Sequence, residues 1–233
     1  GIDSAVVAGL YRSILAPENI LLVNMPGPHN SPTTIKLARE LAKNLGCFYT
    51  EIPISRSVKL TSNQANKLRI RSPAGARHLA ITPAMLENIQ ARDRSSRILA
   101  AVSAAFGGVF TCNANKAEAT VGYTTLYGDL CGYLANIADL WKGDVYGLGK
   151  YLNKTVFGRN VIPEGCFKIK PSAELSPSQN VDKNLGDPLI YPYHDLLFKS
   201  WVERWDRSTP EEILSWYIGG RLEKELGYKG KIS

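Results

Sequence analysis

Closely spaced cysteines are missing from the 233-residue chain. Cys47, Cys112, Cys131 and Cys166 stand far apart with no CxxC pair. Metal-ligand spacing is thereby absent, and a reducing, cytoplasmic setting is expected. Histidine is scarce. His29, His78 and His194 are the whole supply, and no Cys-His or Ser-His pairing for covalent catalysis is recognisable around them. No apolar run approaches the roughly 18 to 20 residues that span a bilayer, so no membrane partner is expected. A dense basic block is absent too. The net charge of +7 favours an anionic partner, but the cations are scattered from Lys36 to the C-terminal tail, which argues against a nucleic-acid arm.

What is present is an α/β pattern. Hydrophobic residues make up 44% of the chain, enough for a sizeable core. Ser4 to Leu15 reads as a helix with Val6, Val7, Leu10 and Ile14 on one face and Ser4 or Asp3 as cap. Ile20 to Val23 has the length of a strand buried on both faces. Ser31 and Pro32 open a second helix that Gly46 closes, and Cys47 to Ile52 is a second strand. This βαβ unit predicts a parallel sheet flanked by helices, with right-handed crossovers. Val109 to Cys112 is a third buried strand, preceded by the longest helix, which runs from Thr82 and Pro83 to Phe106. Residues 55–79 lack periodicity and read as a mobile or irregular segment, either a lid or a solvated loop. Helices resume from His194 to Asp206 and from Thr209 to Glu225.

The opening residues, Gly1-Ile2-Asp3-Ser4-Ala5-Val6, run small and polar groups into a helix start. That layout suits either a phosphate-binding turn or an ordinary helix cap. In the first reading a strand and further glycine are expected before residue 1. Asn113 to Lys116 follows the third strand, and α/β proteins bind ligands at such carboxyl ends. Glu118 lies a turn further on. It is either a complement to the helix dipole or, with Asp3, half of a hard-oxygen site for Mg²⁺ shared with nucleotide phosphates. Glu87 to Arg94 gathers carboxylate, amide and guanidinium groups on two helical turns, as a solvated face or as an anion fork at Arg92.

Taken in order, these blocks resemble a known family. Gly1 to Ser4 resembles the second half of the SGGxDS loop of ATP-pyrophosphatases. Glu87 to Arg92, Asn115 to Glu118 with Gly122-Tyr123, Leu126-Tyr127-Gly128-Asp129, Asp139 to Tyr151, Ile162-Pro163-Glu164 and Lys170 to Leu175 follow in the order seen in NAD synthetase. The Leu126-Tyr127-Gly128-Asp129 form resembles the glutamine-dependent branch. The resemblance implies a Rossmann-like, adenine-nucleotide alpha-hydrolase-like fold whose first strand is missing from residues 1–233. It implies a single synthetase domain with a mobile stretch at about 55–80 and a helical part at about 194–233.

For function, the resemblance implies amidation of nicotinic acid adenine dinucleotide (deamido-NAD) to NAD. ATP adenylates the carboxylate, pyrophosphate leaves, ammonia attacks the acyl carbon, and AMP is released. ATP would be held by Gly1, Ile2, Asp3, Ser4, Asn113, Lys142 and Ser172, with Asn113 standing where the family has Thr. Mg²⁺ would be held by Asp3 and Glu118, and the dinucleotide by Asn88, Arg92 and Glu118. Asp3, Glu118 and Lys142 would form the catalytic set. The resemblance also implies a homo-oligomer and an upstream glutaminase domain supplying ammonia; residues 1–233 contain no such domain. The family's lysine motif near the C-terminus is not recognisable, Tyr228-Lys229 being a poor match. A GMP-synthetase-like adenylating enzyme and a non-catalytic nucleotide-binding module are the alternatives.

Overall fold

The computed structural model describes residues 1–232. Its first helix, α1 (Ile2–Ile14), begins earlier than expected. Gly1 is the cap, and Asp3 and Ser4 lie inside the first turn. The Asp3 carboxylate is therefore free of capping duty and can reach across the molecule. Strand β1 (Leu21–Asn24) pairs in parallel with β2 (Phe48–Glu51), from Leu21 opposite Phe48 to Asn24 opposite Glu51. Between them runs α2 (Pro32–Leu45). Ser31 accepts a hydrogen bond from the Thr34 N–H, Pro32 sits at the first turn, and Gly46 closes the helix at φ 71°. The strands are half-buried rather than buried on both faces.

Residues 55–80 depart from the expected irregular segment. They form α3 (Ser55–Asn66) and an antiparallel hairpin of β3 (Arg69–Ser72) and β4 (Gly75–His78). The tip is Pro73-Ala74, and Gly75 follows at φ 140°, a value that side chains disfavour. Periodicity gave no warning, because α3 buries only Val58 along its length and the hairpin is wholly exposed. Val58 packs with Ile54 and Ile98 in a small separate core.

The long helix is present but its winding changes. It comprises α4 (Pro83–Arg92), capped by Thr82, then a π-helical stretch Asp93–Leu99, then α5 (Ala100–Phe106). The π turn rotates Arg94 toward the loop after β1, where its Nε donates to the Met25 carbonyl at 3.0 Å. The expected third strand is reduced to a single parallel bridge, Cys112 to Ala135. Its backbone pairs with residues 133 and 134 instead of with β1: the Cys112 N–H donates to Leu134 O, and the Tyr133 N–H to Phe110 O.

The remaining helices are α6 (Lys116–Val121), α7 (Lys142–Tyr151) with a π-helical extension to Val156, α8 (Glu164–Lys168), α9 (Tyr191–Val202), α10 (Pro210–Ile218) and α11 (Leu222–Leu226). The main core joins α1, α2 and α7 through Val6, Leu41, Leu45, Val145, Leu152 and Ile162. Each such side chain contributes about 1.5–3 kcal/mol on burial. A second core of Trp141, Tyr191, Phe198, Leu222 and Leu226 binds the C-terminal helices to α6 and α7. The two cores meet at α7, whose first turn carries Lys142.

Candidate active site

Four stretches distant in sequence converge where α1, α6 and α7 begin. The capping box of α6 starts the arrangement. Asn115 accepts from the Glu118 N–H, and Glu118 Oε2 accepts from the Asn115 N–H at 3.1 Å. This fixes the Glu118 carboxylate and leaves Oε1 for partners from other segments. The Asn115 amide then donates to Asp3 Oδ1 at 3.0 Å. Lys142, only 2% exposed, fills the gap: its Nζ lies 2.6 Å from Asp3 Oδ2 and 3.4 Å from Glu118 Oε1. The same ammonium stands 4.7 Å from the ring centre of Tyr191, whose hydroxyl donates to Glu118 Oε1 at 3.2 Å.

The charges explain one another. Burial pulls the Lys142 ammonium down, but Asp3 and Glu118 together outweigh it and hold the pKa at about 12. Burial, with Asp3 next, pushes the Glu118 carboxyl upward against the pull of Lys142. One cation thus sits against two carboxylates at the end of a cavity.

That cavity has a volume of about 310 Å³. Gly1, Ile2, Asp3, Ser4, Asn113, Glu118, Lys142 and Ser172 all line it, so the structure brings every residue of the expected ATP and metal sets to one place. The first turn of α1 adds backbone N–H groups without intrahelical partners, which suits an anion. Asp3 and Glu118 are hard oxygen donors and fit a divalent ion. Among the described residues no third His, Cys, Asp or Glu joins them as a metal cluster. Such an ion would complete its shell with phosphate oxygens and water.

Asn88 and Arg92 lie elsewhere, on α4 beside the loop 123–129. The Thr125 hydroxyl donates to Asn88 Oδ1 at 2.7 Å, and Arg92 Nε donates to Leu126 O at 3.2 Å. Neither lines the cavity, although Thr124 and Asp129 of that loop do.

Sequence reading missed several members of the site. Asp187 accepts from Tyr123 and from the Ala173 N–H and shares the Tyr191 hydroxyl with Glu118, and so ties α9 and the Ser172 loop to the cavity. Glu174, 2% exposed, accepts from Asn30, from the Ser31 N–H and from Thr34, which pins the start of α2. Burial lowers the Arg94 guanidinium to about 10 despite Asp93, Glu174 and Asp129. The Asn115-x-x-Glu118 spacing was a visible signal for Asn115. Nothing local marks Asp187.

The model of the family described as NAD synthase matches residues 1–218. The chain is 36% identical over 229 residues to the glutamine-dependent NAD(+) synthetase of Synechocystis sp., covering 98% of this chain and 37% of that protein. It is 32% identical to the NH(3)-dependent NAD(+) synthetase of Chlorobium phaeobacteroides, covering 88% of this chain and 65% of that protein. The chain therefore spans little more than a third of the length of the glutamine-dependent relatives it matches. Among solved structures, the glutamine-dependent NAD+ synthetase of Acinetobacter baumannii in complex with ADP superposes with a TM-score of 0.62 at 27% identity, covering 100% of this chain and 40% of that one. NMN synthetase from Francisella tularensis superposes at 0.70 and 22% identity, covering 100% and 85%; that likeness concerns the fold alone.

Proposed function

The chain belongs to the NAD synthase family, and on that premise we propose that the intact protein makes NAD from deamido-NAD, ATP and ammonia through an acyl-adenylate. The observation that carries this reading is the pair Asp3 and Glu118 facing Lys142 beside the α1 N-terminus, in a cavity that also holds Asn113 and Ser172. The relatives' names speak of glutamine-dependent and NH(3)-dependent NAD(+) synthetases. None of those reported above supports the GMP-synthetase-like or binding-only reading.

The chemistry asks for positioning and charge neutralisation rather than a covalent nucleophile. A carboxylate oxygen is a poor leaving group. Attack on the α-phosphorus of ATP forms the acyl-phosphate bond, breaks the bond to pyrophosphate and makes AMP the leaving group. Ammonia then forms the amide. The first turn of α1 holds the pyrophosphate with its free N–H groups. Lys142 offers its ammonium to the phosphates, and Ser172 and Asn113 border the nucleotide. Asp3 and Glu118 would hold Mg²⁺, which when bound supplies positive charge to the phosphates. Arg92 and Asn88, on α4 beside the loop 123–129, are proposed to meet the dinucleotide. The ammonia comes free or from a glutaminase, and the four free thiols fit a reducing compartment.

The test is substrate choice. The intact protein with ATP, Mg²⁺ and ammonia should release AMP with deamido-NAD and not with xanthosine monophosphate. The reverse preference would overturn the assignment.

A further inference from the structure

The Lys142 ammonium does more than line the cavity. Its Nζ occupies the space between the two carboxylates, 2.6 Å from one and 3.4 Å from the other. The remaining oxygen of each carboxylate already accepts from Asn115. Every oxygen that Asp3 and Glu118 could give to a metal therefore has a donor. Magnesium needs oxygens at about 2.0–2.1 Å and gives up its waters reluctantly. An ammonium and a divalent ion cannot share the space between these two half-buried carboxylates without strong repulsion.

We propose that Lys142 is a resident substitute cation: it keeps Asp3 and Glu118 paired in the nucleotide-free protein and yields the oxygens it holds only when ATP phosphates draw it away, so that Mg²⁺ enters with ATP and not before it. This rests on the assignment of Asp3 and Glu118 as the metal pair. The side chain is suited to the exchange. It carries a point charge on a flexible four-carbon stem, and its base is in the first turn of α7, on the cavity wall. Asn115 stays behind as the fixed element. It holds one oxygen of each carboxylate in either state, so the pair keeps its spacing while the cation changes. The nucleotide contributes the negative charge that makes the exchange favourable. It brings phosphates for the ammonium and further oxygen ligands for the metal at the same time.

The experiment is Mn²⁺ binding, read by electron paramagnetic resonance on the intact protein. Without nucleotide, wild-type protein should leave added Mn²⁺ free, and Lys142→Met should bind it at least about tenfold more tightly. Lys142→Arg, which keeps a cation there, should behave as wild type. With the non-hydrolysable α,β-methylene analogue of ATP, wild type should immobilise Mn²⁺ and Asp3→Asn should not. Tight Mn²⁺ binding by nucleotide-free wild type would overturn the proposal, and that measurement needs no variant to fold. Equal, weak binding by a folded Lys142→Met protein would overturn it as well. If Asp3→Asn still fails to hold Mn²⁺ beside the analogue in that case, the metal assignment survives and only the exchange is lost. Retained Mn²⁺ in Asp3→Asn would instead remove the metal assignment itself.

Discussion

Asp3, Glu118 and Lys142 are bound to one another across as many as 139 residues of sequence, and each has at least two polar partners. Asn88 and Arg92, only four residues apart on one helix, each hold a single bond to a neighbouring loop. In the first group Asn115 already holds both carboxylates in place, with the Lys142 ammonium bound between them. The second has spare hydrogen-bonding capacity: among the described residues Arg92 uses one of its five N–H donors. Under the proposed function the contrast separates two tasks. Phosphate chemistry needs groups preorganised around developing charge, while recognition of a large dinucleotide can be finished by the ligand.

Breaking the rigid end should have the largest effect. Asp3→Asn leaves a similar shape but removes one carboxylate charge. Loss of several kcal/mol of charge stabilisation lowers kcat about 10³-fold, with little change in fold by circular dichroism. Activity within a few-fold of wild type would show that the pair is only structural. Lys142→Met leaves two carboxylates facing each other, and breaking a buried ion pair costs about 3 kcal/mol, visible as a lower urea midpoint. Added Mg²⁺ should recover part of that loss, which ties the stability of this end to its cation.

The open end should respond in binding alone. Arg92→Ala is expected to raise KM for the dinucleotide about tenfold, at unchanged kcat and unchanged Tm, because it removes one uniform contact. A fall in kcat at constant KM would move Arg92 to the reacting end.

The smallest effect lies away from both. Arg39 and then Tyr49 hydrogen-bond Glu51 and hold its carboxyl at about 2. The folded value is below the unfolded one of about 4.3. The stability it contributes is thus complete above that pH and is lost as pH falls toward 2. Glu51→Gln should flatten the acid limb of an unfolding profile between about pH 4 and pH 2 and leave the neutral region nearly unchanged.

Local signals carried much of the architecture. The caps at Ser31, Thr82 and Thr209 open helices where their side-chain chemistry requires. Glu118 was legible from its place one turn into the helix that follows the apolar run 109–112, where α/β proteins put ligands. The strand at 109–112 was not, since its partner is chosen by tertiary packing: the turn at Gly132, φ 147°, sets that backbone against Cys112 and Thr111. The hairpin at 69–78 was hidden because neither face is buried, so no alternation of apolar residues was required. Asp187 was hidden for another reason. Its three partners come from three different segments, and no spacing in the chain records that.

In the proposed reaction the substrate carboxylate attacks the α-phosphorus of ATP. Deamido-NAD labelled with ¹⁸O in its carboxylate tests this directly, with mass spectrometry of the products formed by the intact protein with ATP, Mg²⁺ and ammonia. Attack at the α-phosphorus puts one ¹⁸O in the phosphate of AMP, alongside NAD and unlabelled pyrophosphate. Label in inorganic phosphate, with ADP as the nucleotide product, would contradict it.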